Sequence, residues 1–267
     1  MTFNTYKTGK HLAGLVKYYW SLDRTFPATE MYIHRTLANH CPEIIFHYDS
    51  EFREIIAEDN IEKTFRTGIH GQTNKIRRFT SKDRCGIFGV MLQPYAIPIL
   101  FNIPATELTN ELVDLTSLLG QKGKDITEQM ILARDNTQRV ILMNNFLTNL
   151  NHEVKLPEII RSVQFICSEK GNVSIQKLSN QSFLSIRQFE RKFKDLVGFS
   201  PKTFSRLVRF KSIVDNYSAQ NKTLTEIGYD FGYYDQSHFI QDFRQFSGYN
   251  PKAYFGGNAN EVFYAPQ

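Results

Sequence analysis

Over residues 1 to about 90, apolar and polar positions alternate in short runs. Residues 31–37, 43–48, 53–57, 63–67 and 86–92 each read as a strand rich in β-branched and aromatic side chains. Polar or glycine-containing turns such as His70-Gly71 and Ser81-Lys82-Asp83 separate them. Runs of that length and spacing predict a small barrel or sandwich. From Pro94 the period becomes helical, with short helices expected over 94–101, 107–119 and 125–132. Residues 136–150 form the strongest amphipathic pattern, with Val140, Ile141, Phe146, Leu147 and Leu150 apolar. Residues 149–156 are polar and without period, and they end at Pro157. This divides the chain into a region 1–150 and a region 157–256 with a short polar tail.

The second region contains a repeat. Residues 185–204 and 235–254 align without a gap. Phe189, Phe193, Gly198, Pro201 and Lys202 coincide with Phe239, Phe243, Gly248, Pro251 and Lys252, and Lys194, Phe199, Ser200 and Phe204 meet Arg244, Tyr249, Asn250 and Tyr254. Each copy describes one helix and the start of another. Ser185 with Gln188 makes a capping box, and Asp235 caps the second copy. Ile186, Phe189, Phe193, Leu196 and Val197 share one face, as do Phe239, Phe243 and Phe246. Gly198 and Gly248 stand where a left-handed terminator is wanted. Ser200-Pro201 and Asn250-Pro251 each supply an N-cap followed by proline at the first helical position.

A short helix precedes each copy: Ser174 caps Ile175 and Leu178, and a Thr223/Glu226 capping box leads Leu224 and Ile227 to a turn at Gly232. A short helix, a tight turn and a longer helix with a polar outer face make the helix-turn-helix pattern of DNA readers. Between the units, residues 201–217 place Phe204, Leu207, Val208, Phe210 and Ile213 at helical spacing. A helix of about 25 Å there, with its flanking turns, would set the two readers about one DNA turn apart, ~34 Å.

The run from Leu224-Thr225-Glu226-Ile227-Gly228 through Gly232-Tyr233-Tyr234-Asp235-Gln236-Ser237-His238-Phe239, Phe243, Gly248, Asn250-Pro251 and Tyr254 resembles the AraC/XylS-type signature. The resemblance covers about the last hundred residues. Three positions depart from it: Phe183 replaces the usual turn glycine of the first unit, Gln241 a frequent basic residue, and Phe255 an arginine. More loosely, 15–22 and 86–94 look similar to the sensor half of one branch of that family. The resemblance implies an α+β chain, with a cupin-like β-rich sensor with flanking helices over 1–150 and an all-α domain of two helix-turn-helix units over 157–256. It implies a transcriptional regulator without catalytic activity, whose partners are double-stranded DNA, RNA polymerase, a small-molecule effector and a second copy of the chain. No cofactor is implied, and the sequence does not identify the effector-binding residues.

The residues expected at DNA are Ile186, Arg187, Glu190, Arg191, Lys194 and Lys202 in the first copy, and Gln236, Ser237, His238, Gln241, Arg244 and Lys252 in the second. Arg187 and Arg191, four apart, point into one groove. Arg191 suits a bidentate contact to guanine, Glu190 can accept from a cytosine amine, and Gln236 and Gln241 suit adenine. Lys194, Lys202, Arg244 and Lys252 suit phosphates, as do the helix N-termini after Ser200 and Asn250.

Charge supports this placement. The net charge is +5, and 157–256 carries 14 Lys and Arg against 9 Asp and Glu, so the excess lies with the repeat. Three cysteines without CxxC spacing, no leader pattern and no long apolar run lead to an expectation of a reduced, cytoplasmic protein without a membrane span. His34, His40, Cys41 and His47 invite a metal or Cys–His reading, but no spacing matches a known ligand set, and packed strand residues are the preferred interpretation. Trp20 with Tyr18 and Tyr19 suits either ring stacking on a ligand or strand core, with core preferred. Two rivals remain: a metal-dependent cupin-like enzyme fused to a DNA reader, and an architectural binder without sequence preference.

Overall fold

A computed structural model describes residues 2–25, 32–50, 52–57, 60–81, 84–150, 156–216 and 223–256. The amino-terminal half contains β1 (Thr2–Tyr6), β2 (Val16–Thr25), β3 (Tyr32–Thr36), β4 (Glu43–His47), β5 (Arg53–Ala57), β6 (Asn60–Lys63), β7 (Thr67–His70), β8 (Arg77–Ser81), β9 (Arg84–Leu92) and β10 (Leu112–Asp114). A six-stranded sheet runs β1-β2-β9-β4-β7-β10 and a four-stranded sheet β3-β8-β5-β6. The strand pairs in both are antiparallel.

Alternation explains how the larger sheet is buried on both faces. Tyr19, Ile44, Phe46, Phe88 and Val90 join a cluster with the helices, while their neighbours Trp20, Ile45 and Ile87 join a second cluster with Phe52 and Phe79. The helix α1 (Ala96–Phe101) lies between β9 and β10, and α2 (Leu115–Leu119), α3 (Gln121–Leu132) and α4 (Asn136–Leu150) follow β10. The carboxy-terminal half is helical: α5 (Pro157–Ser168), α6 (Ile175–Gln181), α7 (Ile186–Val197), α8 (Pro201–Asn216), α9 (Leu224–Asp230), α10 (Gln236–Ser247) and α11 (Pro251–Phe255). The architecture is thus a β-rich domain of two sheets with helices, followed by an all-α domain with two helix-turn-helix units.

Several expectations are corrected. The run 63–67 is not one strand: β6 ends at Lys63, β7 begins at Thr67, and the residues between connect them. His70 is not in a turn but pairs with Glu43 and Leu112 inside the sheet. Residues 107–119 contain the strand β10 before α2, because Leu112–Asp114 completes the sheet edge at β7. The buried face of α4 runs through Arg139, Met143, Leu147 and Leu150, while Ile141 is 55% exposed. The sequence reading missed this because arginine does not advertise burial. Arg139 is satisfied by the carbonyls of Met130 and Ala133, at 3.0 and 3.1 Å, and by the Tyr48 ring 3.8 Å away. On α5, Ile166 is buried and Phe165 is exposed. Met31, Lys82, Asp83, most of 149–156 and Tyr217 lie outside the described residues.

The two halves share one apolar cluster. The Ala38 N–H donates to the Phe246 carbonyl at 2.9 Å, His40 meets the Phe204 ring edge-on at 5.5 Å, and Arg35 lies over Tyr249 at 5.9 Å. The terminator glycines of both long helices abut the first half. A Cβ on Gly198 (φ +79°) would strike Thr109, and one on Gly248 (φ +75°) would strike Ile76. The left-handed backbone favours glycine at both positions, and the approach of Thr109 and Ile76 leaves a Cβ room only if those side chains shift.

Candidate nucleic-acid interface

Local chemistry fixes each unit. The Ser185/Gln188 and Thr223/Glu226 capping boxes are both formed, and Asp235 Oδ1 accepts from the His238 N–H at 2.8 Å. Ser174 accepts from Lys177, Ser200 from Thr203 and Asn250 from Lys252. The two turns close alike: the Leu184 N–H reaches the Ser179 carbonyl at 3.1 Å, and the Tyr233 N–H reaches the Gly228 carbonyl at 2.9 Å. Ser179 and Gly228 are the small residues buried inside them. Gly232 holds the left-handed position of the second turn (φ +75°) and Phe183 that of the first (φ +54°). Two residues separate Gly232 from its N-cap Asp235, where one separates Phe183 from Ser185.

All twelve residues expected at DNA are exposed. Arg187, Glu190, Arg191 and Lys194 form a stripe along α7, opposite the buried Phe189, Phe193 and Leu196. Gln236, Ser237, Gln241 and Arg244 occupy the outer side of α10 above the buried Phe239, Phe243 and Phe246. Lys202 and Lys252 follow Pro201 and Pro251 at the starts of α8 and α11. Ile186 is 41% exposed, so it belongs to the outer surface and not to the apolar face assigned to it by spacing. The His238 ring also lies against its N-cap residue, with Nδ1 3.4 Å from Asp235 Oδ2, so a base contact by the ring competes with that contact.

One helix joins the units. On α8, Phe204 meets Phe193 of the first unit edge-on at 5.5 Å, and Phe210 meets Phe243 and Phe246 of the second at 5.4 and 5.5 Å. Six positions of helix turn the two anchors about 120° apart, so the units lie on different sides of α8. The sequence reading missed a polar clamp between α8 and the second unit. Arg206 on α8 grips buried Asp242 on α10 with Nε and Nη2 donating to Oδ1 at 3.1 and 2.6 Å, and Tyr233 donates to Oδ2 at 3.3 Å. A carboxylate facing inward between two buried phenylalanines is the only signal the sequence offered for it.

A cavity of about 160 Å³ lies between the two sheets and reaches α8. Trp20, Tyr18, Ile45, Phe52 and Phe79 wall it with His34, His47 and His70, and Lys211 and Val214 of α8 close one side. Burial holds the three imidazoles below their ordinary range, at about 4 for His34, about 4 for His47 and about 3 for His70, assisted by neighbouring Arg24, Arg66 and Arg77. His34 and His70 keep some accessible surface, but both line this cavity. Burial lifts Glu43, in the same wall, to about 7 against the pull of Lys211. His47 Nδ1 is buried without a hydrogen-bond partner, an unmet polar group of the kind a ligand or water satisfies. Of the residues weighed as a metal set and read instead as packed, His34, Cys41 and His47 line the cavity, whereas His40 packs on Phe204. Among the described residues no group of three or more His, Cys, Asp or Glu side chains is placed to hold a metal ion. Trp20 and Tyr18 face the cavity and Tyr19 the helix side; Tyr19 and Trp20 are buried core residues of the sheet's two faces, as preferred from the sequence.

Residues 178–256 match a helix-turn-helix domain model, and residues 4–114 match a domain of unknown function, DUF6597. Two XylDLEGF operon transcriptional activators of Pseudomonas putida are each 30% identical over 99 residues, covering 36% of this chain and 31% of theirs. The chain therefore spans about a third of the length of the curated relatives it matches. Among solved structures, ToxT from Vibrio cholerae is similar at 10% identity, covering 89% of this chain and 98% of ToxT, with a TM-score of 0.48. The carboxy-terminal domain of AraT, a response regulator from Geobacillus stearothermophilus, is similar at 18% identity, covering 42% of this chain and 92% of that one, with a TM-score of 0.36. The helical region of this chain is a helix-turn-helix domain of AraC/XylS type.

Proposed function

We propose that this protein is a sequence-specific, DNA-binding transcriptional regulator, in which residues 157–256 read DNA and residues 1–150 sense an effector. The observation that carries the proposal is the doubled unit. Two helices, each with a side-chain N-cap, a left-handed glycine terminator, a phenylalanine-rich underside and an exposed polar face, are fixed to one connecting helix. Solvation alone gives no reason to build that surface twice. The mechanism is recognition without catalysis: α7 and α10 enter successive major-groove segments on one side of the duplex.

On α7, Arg191 reads guanine, Glu190 a cytosine amine, and Arg187 and Ile186 the same groove. On α10, Gln236 and Gln241 read adenine, with Ser237 and His238 beside them. Lys194, Lys202, Arg244 and Lys252 hold phosphates and set the register. The cavity is the effector site. It has an apolar wall, an unmet imidazole nitrogen and a contact surface on α8, the helix that positions both readers. RNA polymerase and a second copy of the chain are the protein partners of this reading, and the cytoplasm is its compartment.

The test is selection of bound sequences from random double-stranded DNA with the full chain at physiological salt. A defined motif with two segments about one helical turn apart is expected. Equal binding to selected and random DNA would reduce the protein to a backbone binder and remove the regulator reading.

A further inference from the structure

Phe183 stands in the left-handed region at φ +54°, and its ring is 95% exposed. A single exposed apolar side chain needs no explanation, and a left-handed turn residue is ordinary when it is glycine. The combination is unusual. The backbone of a phenylalanine is strained there, and a ring in water returns nothing to the fold. The second unit puts Gly232 in the same turn position. It nevertheless presents an exposed ring: its longer turn places Tyr234, 86% exposed, directly before the N-cap of α10. Each unit thus carries an uncovered aromatic at the mouth of its reading helix, reached by different sequences. Beside Phe183, Ile186 adds exposed apolar surface on the first turn of α7, and Arg187 and Arg191 give the same end a charge suited to a polyanion.

We infer that Phe183 is a specificity-determining residue of the first unit, its ring packing with Ile186 on a thymine 5-methyl group in the major groove. Tyr234 makes the corresponding contact for the second unit. This rests on the DNA-reading function proposed above. The methyl group is the apolar feature of the major-groove edge, and it marks thymine against the other bases. Positional strain is retained at Phe183 because glycine or asparagine, which would relieve it, has no ring to offer.

The experiment uses the full chain and its selected operator. Phe183→Gly and Phe183→Asn are compared with Phe183→Tyr and with Tyr234→Ser by melting temperature, operator affinity and selected motif. The Gly and Asn variants are expected to melt at or above the parent temperature while binding the operator about tenfold more weakly and losing one thymine preference. Phe183→Tyr keeps both affinity and motif, and Tyr234→Ser loses a thymine preference in the other segment. Replacing that thymine by deoxyuridine, which removes only the methyl group, weakens the parent by the same factor and leaves Phe183→Gly unaffected. Unchanged affinity and motif in the Gly and Asn variants overturns the inference while leaving DNA reading intact. Unchanged DNA binding with lost transcriptional output overturns it in favour of a protein partner. A Gly variant that melts lower shows the ring to be structural and also overturns it. A parent chain that selects no sequence removes the DNA-reading proposal itself, and this inference with it.

Discussion

The two halves of the chain treat polar side chains in opposite ways. In the helical half, the arginines and lysines of α7 and α10 face outward and the interior is a stack of phenylalanines. Its main buried polar group, Asp242, is gripped at once by Arg206 and Tyr233. In the β-rich half, three neutral imidazoles and Glu43 face inward around a cavity, and one imidazole nitrogen stays unmet. Burying polar groups without partners is unfavourable. The helical half also buries unpartnered atoms, on Ser205, Arg209 and Tyr249, but the β-rich half does so beside an apolar cavity, whereas the charged groups of α7 and α10 lie on an open surface. The comparison also locates the joint. α8 touches both units and supplies Lys211 and Val214 to the cavity wall.

The largest expected effect comes from breaking that joint. Val208 is buried in the middle of α8. Proline there removes a helical hydrogen bond and clashes with the preceding turn, at about 3 kcal/mol or more. Val208→Pro is expected to lower the melting temperature sharply. In whatever folds, operator affinity falls towards that of a single unit. A folded variant with undiminished affinity would show that α8 is not the spacer.

Acid should separate the halves next. For His34, His47 and His70 the folded pKa lies below the unfolded value near 6.5. The unfolded chain therefore binds more protons between about pH 6.5 and 4, and the stability these groups contribute is lost as pH falls through that window. Glu43 works the other way: its folded pKa of about 7 means that its penalty, present at neutral pH, is relieved on acidification towards 4.5. His40, which burial also holds well below the ordinary imidazole range, acts in the same direction, so four groups outweigh one and a net loss of at least about 3 kcal/mol is expected between pH 7 and pH 5. Replacing His47 with Phe should flatten the curve, read by denaturant unfolding at each pH. An unchanged slope would mean that His47 binds protons equally in the folded and the unfolded chain.

How much of this was readable from the sequence follows the same division. The helical half was legible down to its caps, because capping boxes, terminator glycines and a phenylalanine period are local signals and they occur twice. The cavity was not. Its wall comes from strands far apart in the chain, and His70 joins it only because β7 pairs with β4 and β10. Spacing placed His40 with His34 and His47, but His40 lies in the bend between β3 and β4 and packs on Phe204 of α8 instead. The Arg206–Asp242 clamp was missed because the two residues lie on different helices, and sequence pattern reports only faces within one helix.

Recognition itself is tested by a pair of exposed side chains on α7. Arg191→Ala is expected to cost about 1–3 kcal/mol on the selected operator and to relax one or two base positions. Lys194→Ala should weaken selected and random DNA alike and reduce the salt slope by about one. Both positions are exposed, so neither change should move the melting temperature by more than about 0.5 kcal/mol equivalent. Identical behaviour of the two variants would erase the distinction drawn between base reading and phosphate holding.

The smallest effect on folding is expected at Ile141, and it bears on the partner surface. An apolar stripe on α4 reads equally as a dimer helix or a core helix in sequence. In the structure most of that stripe is used internally: Met143, Leu147 and Leu150 are buried, Phe146 is half-buried, and Ile141 is the member that faces outward. Charged substitution at Phe146 would therefore disturb packing as well as any partner, so it cannot separate the two roles. Ile141→Glu can, because its side chain is 55% exposed and its cost to the monomer should stay within about 0.5 kcal/mol. If α4 joins two copies, a charge placed on both sides of a two-fold contact repels across it. The dimer should then dissociate at concentrations where the parent stays paired, with the melting temperature otherwise unchanged. Light scattering across a dilution series reads both species. A soluble Ile141→Glu chain that remains as associated as the parent would leave α4 to the core and move any dimer contact elsewhere on the surface.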